Sequence, residues 1–318
     1  MKIAITGAAG NLGGLLARRL AAEGLAELNL LVHRRDVAPE LRDRQRVEVF
    51  RVDLARPETL NEALQGVNAV IHFAGVLFRA RPERFLPTTN TLYFRNLLAA
   101  AEQAGVRRVV LASFPHVEGE SSPAAPAKGI LTGSPVSVHA RTRLDEERLL
   151  FDRSACTGME AVSLRLGMVY GDGILMIDAM RWLARRRLLG VWRQPTWIHL
   201  ISTEDCLAAT VAALLNPEVR GIYHLGDEGV QTLQQFIDGC CAVWGCPKPW
   251  RMPVWMIRAA AWACETFSAV TGSRAPLTQD FITIGMSSYY GDTARTRAEL
   301  LPRLKYRTYR EGQQTLRR

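Results

Sequence analysis

Three glycines recur at every third position in the run Thr6-Gly7-Ala8-Ala9-Gly10-Asn11-Leu12-Gly13, between a short apolar strand pattern (Ile3 to Thr6) and a helical pattern (Leu12 to Glu23). That arrangement suits the pyrophosphate of a dinucleotide. The first glycine permits a tight turn, the second lets the backbone approach the anion, and the third lets the helix pack closely on the strand. The first turn of the helix then offers unpaired N–H groups to the negative charge. Gly7, Ala9, Gly10, Asn11, Leu12 and Gly13 are therefore expected to hold a dinucleotide. The next strand pattern ends in Val32-His33-Arg34-Arg35. A carboxylate at such a strand end suits the ribose hydroxyl of NAD, whereas arginine suits the 2′-phosphate of NADP. His33, Arg34 and Arg35 thus point to NADP, with NAD as the alternative.

The elements that would position these residues alternate along the N-terminal half. Ile3–Thr6, Leu28–Val32, Val47–Val52, Ala69–Phe73, Val109–Ala112 and Ala161–Leu166 read as strands. Leu12–Glu23, Pro57–Gln65, Thr89–Ala104 and a run from about Thr142 to Phe151 read as helices between them. Such alternation predicts an α/β fold of the Rossmann type, a doubly wound parallel sheet with helices on both faces. Glu120 to Pro135, rich in Ser, Pro, Gly and Ala, reads as a loop over the carboxyl edge of the sheet. Beyond Gly173 the pattern gives a helix (Ile174 to Leu188), a strand (Trp197 to Ile201), a helix (Thr203 to Leu215) and a strand (Gly221 to Leu225), and is mostly helical from Thr232. The expected division is a cofactor-binding domain over 1–173, rejoined by elements near 197–225, and a smaller, mostly helical substrate lobe made of 174–196 and 226–318. The tail Arg303 to Arg318 reads as a basic, partly exposed end.

The T-G-x-x-G-x-x-G spacing resembles the short-chain dehydrogenase/reductase superfamily, in its extended branch of epimerases, dehydratases and sterol-dehydrogenase-like enzymes. Further pieces match in order: Val52-Asp53-Leu54, His72-Phe73-Ala74-Gly75, Asn90, and Val169-Tyr170-Gly171. The resemblance implies that Asp53 and Leu54 meet the adenine, that Phe73, Ala74 and Gly75 line the cofactor channel, and that Leu166 and Met168 border it. It also locates the catalytic positions, and there the chain departs from the family. Where the family carries Tyr-x-x-x-Lys, this chain has His139 and Arg143. Where the family carries Ser or Thr, it has Phe114, with Ser113 one place earlier. Histidine ionises near neutrality and can serve as acid or base, while Arg143 can hold the cofactor ribose but cannot relay a proton. Ser113 can reach a substrate oxygen if the strand end shifts by one residue. The implied catalytic set is His139, Arg143 and Ser113, in an oxidoreductase or epimerase acting on a carbonyl or secondary alcohol. The alternative is a dinucleotide-binding protein without turnover, with a structural or redox-sensing role.

Composition narrows the partners. The 318 residues carry a formal charge of +9, but the basic residues fall in short groups such as Arg107-Arg108 and Arg185-Arg186-Arg187, without interleaved aromatics, so nucleic acid is not expected. The six cysteines form no metal-ligand spacing and read as reduced thiols. Met1-Lys2 leads straight into the first strand, so no secretion signal and a cytoplasmic location are expected. The apolar stretch Val254 to Val270 is interrupted by Arg258 and Glu265 and is too short to span a bilayer. A small-molecule substrate is the expected partner. Peripheral membrane contact through the Trp-rich C-terminal helix and a homodimer are compatible but secondary readings. Arg165-Leu166-Gly167-Met168 stands where nucleotide-sugar members of the branch carry an aromatic-Asn pair, which argues against such a substrate. Trp250, Trp255, Trp262 and Phe267 are expected to line an apolar cavity, or else to belong to the core or to an oligomer contact.

Overall fold

Alternate residues of the N-terminal strands drain into two separate apolar clusters. Ile3, Ile5, Ile71, Val110, Val162 and Leu164 belong to one, and Ala4, Val70, Val109, Leu111 and Ala161 to the other. Side chains at successive strand positions point to opposite faces, so a sheet with this pattern must be covered on both sides. The computed structural model describes residues 1–76, 79–271, 275 and 277–317. Among them, β1 (Lys2–Thr6), β2 (Glu27–Val32), β3 (Val47–Arg51), β4 (Ala69–His72), β5 (Arg108–Ser113) and β6 (Glu160–Leu166) join the strand Gly221–Leu225 in a seven-stranded sheet. Every pairing in it is parallel, in the spatial order β3-β2-β1-β4-β5-β6 and then Gly221–Leu225. The order reverses between β1 and β4, and the crevice outside the carboxyl ends of those two strands is where such a sheet receives its ligand.

The helices follow their local signals. Asn11–Glu23 begins at Gly10 and stops at Gly24, whose φ of 64° is a left-handed cap that glycine adopts without strain. Val138–Thr157 begins at Ser137, whose hydroxyl accepts from the Ala140 N–H at 3.1 Å, and ends at the left-handed Gly158. Two expected elements are subdivided. The 57–65 helix is a 3-10 turn (Pro57–Leu60) followed by a short helix (Asn61–Leu64), and the 89–104 helix opens as a π-helical turn (Pro87–Leu92) before Tyr93–Gln103.

The expected strand at 197–201 is likewise two strands with different partners. Trp197–Ile198 pairs antiparallel with Gln231–Thr232, and Leu200–Ser202 pairs parallel with Met168–Tyr170. Thr203–Leu215 then leads back to the sheet strand Gly221–Leu225. In the C-terminal region the longer helices among the described residues are Leu233–Val243, Val254–Thr271 and Gln279–Met286. The basic tail is more firmly packed than its composition suggests. Tyr309 and Leu316 are buried in the larger core, and the Leu316 carbonyl accepts from the Trp244 indole at 3.0 Å. Among the described residues, no helix is long and apolar enough to cross a membrane.

Candidate active site

The glycine turn has the geometry that its sequence calls for. Gly7 sits at φ 71°, and a Cβ there would lie 2.9 Å from the Ala74 nitrogen, so the turn presses against the segment that leaves β4. A Cβ on Gly10 would lie 2.9 Å from the Gly7 carbonyl oxygen, and one on Gly13 would collide with the same atom. No side chain caps the helix start at Gly10. The first-turn N–H groups of Asn11, Leu12 and Gly13 are thus left to whatever the crevice holds. The Asn11 amide bonds the Gly173 carbonyl, and its oxygen accepts from the Leu175 N–H at 3.2 Å, which ties the 173–175 segment to this helix end. A cradle of unclaimed N–H groups that a Cβ would fill fits a pyrophosphate.

At the end of β2, His33 bonds the Val52 carbonyl at 3.1 Å, while Arg34 and Arg35 are exposed. Neither arginine pairs with a carboxylate among the described residues; Asp36 instead meets Arg42 and Arg51. Asp53 uses one carboxylate oxygen to accept from the Ala55 N–H at 3.0 Å, closing its own turn, and the Leu54 carbonyl accepts from Asn96. Leu166 and Met168, both half-buried, stand at the carboxyl end of β6.

The Val138–Thr157 helix brings His139 and Arg143 to the same stretch of chain, Ala74 to Val76. The side chains are one turn apart and share a face. His139 lies with Nε2 3.2 Å from the Val76 carbonyl oxygen and Nδ1 3.0 Å from the Asp280 carboxylate. Arg143 donates to the Ala74 carbonyl at 3.3 Å, and its guanidinium fills the space that a side chain on Gly75 would need. It also donates to the Glu146 carboxylate at 2.6 Å. Glu146 is fully buried, and that burial pushes its carboxyl up to about 7 against the pull of Arg143. The helix itself is fastened from below. Glu147, also buried, accepts from Arg165 on β6 at 2.6 Å and from Ser163 at 2.8 Å.

Both acceptors facing His139 lack protons to give. A neutral imidazole can donate to only one of them, and only the imidazolium satisfies both. The Phe114 ring stands 6.4 Å from the His139 ring, centre to centre, and 5.2 Å from that of His116. Ser113 is different. β5 pairs in parallel with β6 up to the pair Ser113–Arg165. Alternation puts Ser113 on the sheet face of Ser163 and Arg165, whose side chains meet Glu147 of the Val138–Thr157 helix. The buried Ser113 hydroxyl has no hydrogen-bond partner among the described residues.

Two features were beyond the reach of sequence reasoning. Asp280 lies 141 residues from His139, and only its helix start could be read locally, from the Thr278 cap that accepts from Phe281. Glu146 lies in an unremarkable charged run, and only the fold reveals its burial. One expectation is corrected. Trp250, Trp255, Trp262 and Phe267 are all exposed, and of the four only Trp250 borders a cleft, a shallow one on the surface beside Arg187 and Lys248, among the described residues. The reason is periodicity: Ile257, Ala261 and Ser268 form the inward stripe of the Val254–Thr271 helix, so the large aromatics fall on the opposite side.

Comparison with known proteins agrees with this geometry. The family model described as the NAD dependent epimerase/dehydratase family matches residues 3–226. The ceramide reductase of Caulobacter vibrioides is 30% identical over 275 residues, covering 85% of this chain and 80% of that protein. The uronate dehydrogenase of Pseudomonas syringae pv. tomato is 27% identical over 69% of this chain and 71% of that protein. The crystal structure of the Thermus thermophilus UDP-glucose 4-epimerase in complex with NAD superposes with a TM-score of 0.77, at 22% identity, covering 100% of this chain and 97% of that one. This chain belongs to the NAD dependent epimerase/dehydratase family and is an oxidoreductase or epimerase of that type.

Proposed function

We propose that this member of the epimerase/dehydratase family is an NADP(H)-linked oxidoreductase acting on a carbonyl, or the matching secondary alcohol, of a small lipophilic molecule, with His139 as its acid/base. The observation that carries the reading is the His139–Asp280 pair, set over the same Ala74–Val76 segment that Arg143 meets. When bound, the nicotinamide exchanges hydride with the substrate carbon. Everything else falls to the chain. Asp280 engages Nδ1 and leaves Nε2 as the nitrogen that trades a proton. A substrate oxygen that takes the place of the Val76 carbonyl receives the Nε2 proton during reduction and returns it during oxidation. Arg143, set beside Ala74 and Gly75, keeps its charge, would hold the cofactor ribose, and moves no proton. Phe114 supplies no hydroxyl at the position where the family has Ser or Thr, so polarising the carbonyl falls to His139. Arg34 and Arg35, exposed and without carboxylate partners among the described residues, suit a 2′-phosphate.

The likeness to a ceramide reductase and the Arg165-Leu166-Gly167-Met168 segment support a lipophilic substrate. The test is NADPH consumption with long-chain ketones, uronates and UDP-sugars offered in parallel. Turnover is expected with the long-chain ketones. Turnover confined to uronates or UDP-sugars would overturn the substrate class, and tight NADPH binding without any turnover would favour a dinucleotide-holding role.

A further inference from the structure

The Val254–Thr271 helix presents an apolar face that no described residue covers. Trp255, Trp262, Phe267 and Val270 are 69%, 66%, 66% and 82% exposed, and Met256 is also exposed. At 100° per residue all five fall on the half of the helix opposite its buried Ile257, Ala261 and Ser268. Trp250, 67% exposed, stands in the strand that leads into the helix. Exposed large apolar side chains gathered on one helix face mark a surface with a partner.

The charges around the patch identify the partner's chemistry. The Trp250 indole donates to the Arg187 carbonyl at 3.0 Å, and Trp250, Lys248 and Arg187 line one shallow cleft. Arg185, Arg186 and Arg187 are exposed, and the Arg186 guanidinium stacks 4.0 Å from the centre of the half-exposed Trp182 ring. Arg258 adds a further exposed cation on the helix itself. None of Arg185, Arg186, Arg187, Lys248 and Arg258 forms an ion pair among the described residues. The helix has one acidic residue, Glu265, which is turned inward to accept from the Gln279 N–H at 2.9 Å. Two copies packed on this face would bring the same unpaired cations together without carboxylates to meet them. A surface of anionic headgroups over acyl chains answers both the tryptophans and the arginines.

We propose that this face docks the protein on an anionic lipid bilayer, with the helix lying in the interface and the Arg185–Arg187 cluster on the headgroups. The helix, about 27 Å long, lies on the bilayer and does not cross it, in keeping with the lack of a membrane-crossing helix among the described residues. The inference is independent of what the substrate is.

Flotation of the full-length chain with phosphatidylcholine vesicles, with and without phosphatidylglycerol, tests it. The native chain should float with the phosphatidylglycerol vesicles and lose binding as salt is raised. The Trp255→Ser/Trp262→Ser variant and, separately, the Arg185→Ala/Arg186→Ala/Arg187→Ala variant should each bind about tenfold more weakly or worse. Both change exposed side chains, so melting temperatures should match the native chain and separate lost docking from lost folding. Failure of the native chain to float, or undiminished binding by both variants, would overturn the proposal. So would a dimer, seen by sedimentation velocity without lipid, that the tryptophan substitutions dissociate.

Discussion

His139 faces two acceptors, the Asp280 carboxylate and the Val76 carbonyl, and they are unequal. The carboxylate is the stronger and the better placed, so it sets the ring's orientation. Replacing Asp280 by Asn keeps the size but removes the charge, and it also allows the amide to present an N–H to the ring. The expected outcome is a loss of roughly tenfold to a hundredfold in kcat. NADPH affinity should be unchanged, because among the described residues the Asp280 carboxylate meets His139 and no residue of the glycine turn or of the β2 end. Steady-state kinetics with a direct NADPH titration separates the two effects. An unchanged kcat would mean that the carboxylate only anchors its own helix. The Arg143 fork is shared between Glu146 and the Ala74 carbonyl. These contacts hold its cation against the Ala74–Gly75 segment.

The glycine turn and the end of β2 act as elements. A Cβ on Gly10 meets the Gly7 carbonyl oxygen, which is backbone and cannot swing aside. Gly10→Val should therefore displace the turn and abolish binding of either dinucleotide, as measured by fluorescence titration. Retained affinity would place the phosphate site elsewhere. At the β2 end, replacing Arg34 and Arg35 together by Ala should reduce NADPH affinity about tenfold or more while leaving NADH affinity nearly unchanged. Equal losses for both would remove the 2′-phosphate assignment. These elements were legible in the sequence because their signals are local: glycine spacing, period-two apolar strands, and a Ser or Gly at a helix end. What was not legible depends on distant packing. Asp280 reaches His139 from the far end of the chain, and the 197–201 segment reads as one strand although its halves pair with different neighbours. The aromatic run at 250–267 has the composition of a pocket wall, and only the position of its inward stripe turns it to the surface.

Across the whole molecule, the contact between the sheet and the C-terminal region is built on buried histidines. His116 bonds the Ser287 carbonyl at 2.9 Å, and His199 stacks on Tyr290 with ring centres 3.9 Å apart. Burial lowers both imidazoles to about 4, so the unfolded chain takes up their protons first as pH falls. The stability they contribute is fully present above about pH 6.5 and is lost as pH falls through about 4, on the order of 3 kcal/mol for each. Glu146 and Asp227, raised by burial to about 7, act in the opposite sense, and the difference between variants therefore isolates the histidines. Melting temperatures of the native chain and His116→Gln should diverge less at pH 4.5 than at pH 7, since the variant escapes the acid loss; a constant gap would refute the assignment. The account of the whole molecule as a working enzyme rests most directly on one comparison: NADPH oxidation by the native chain and by His139→Phe, at saturating NADPH with a long-chain ketone. The account predicts turnover by the native chain, a loss on the order of a hundredfold in the variant and NADPH affinity nearly intact. Equal turnover by the two proteins would contradict it.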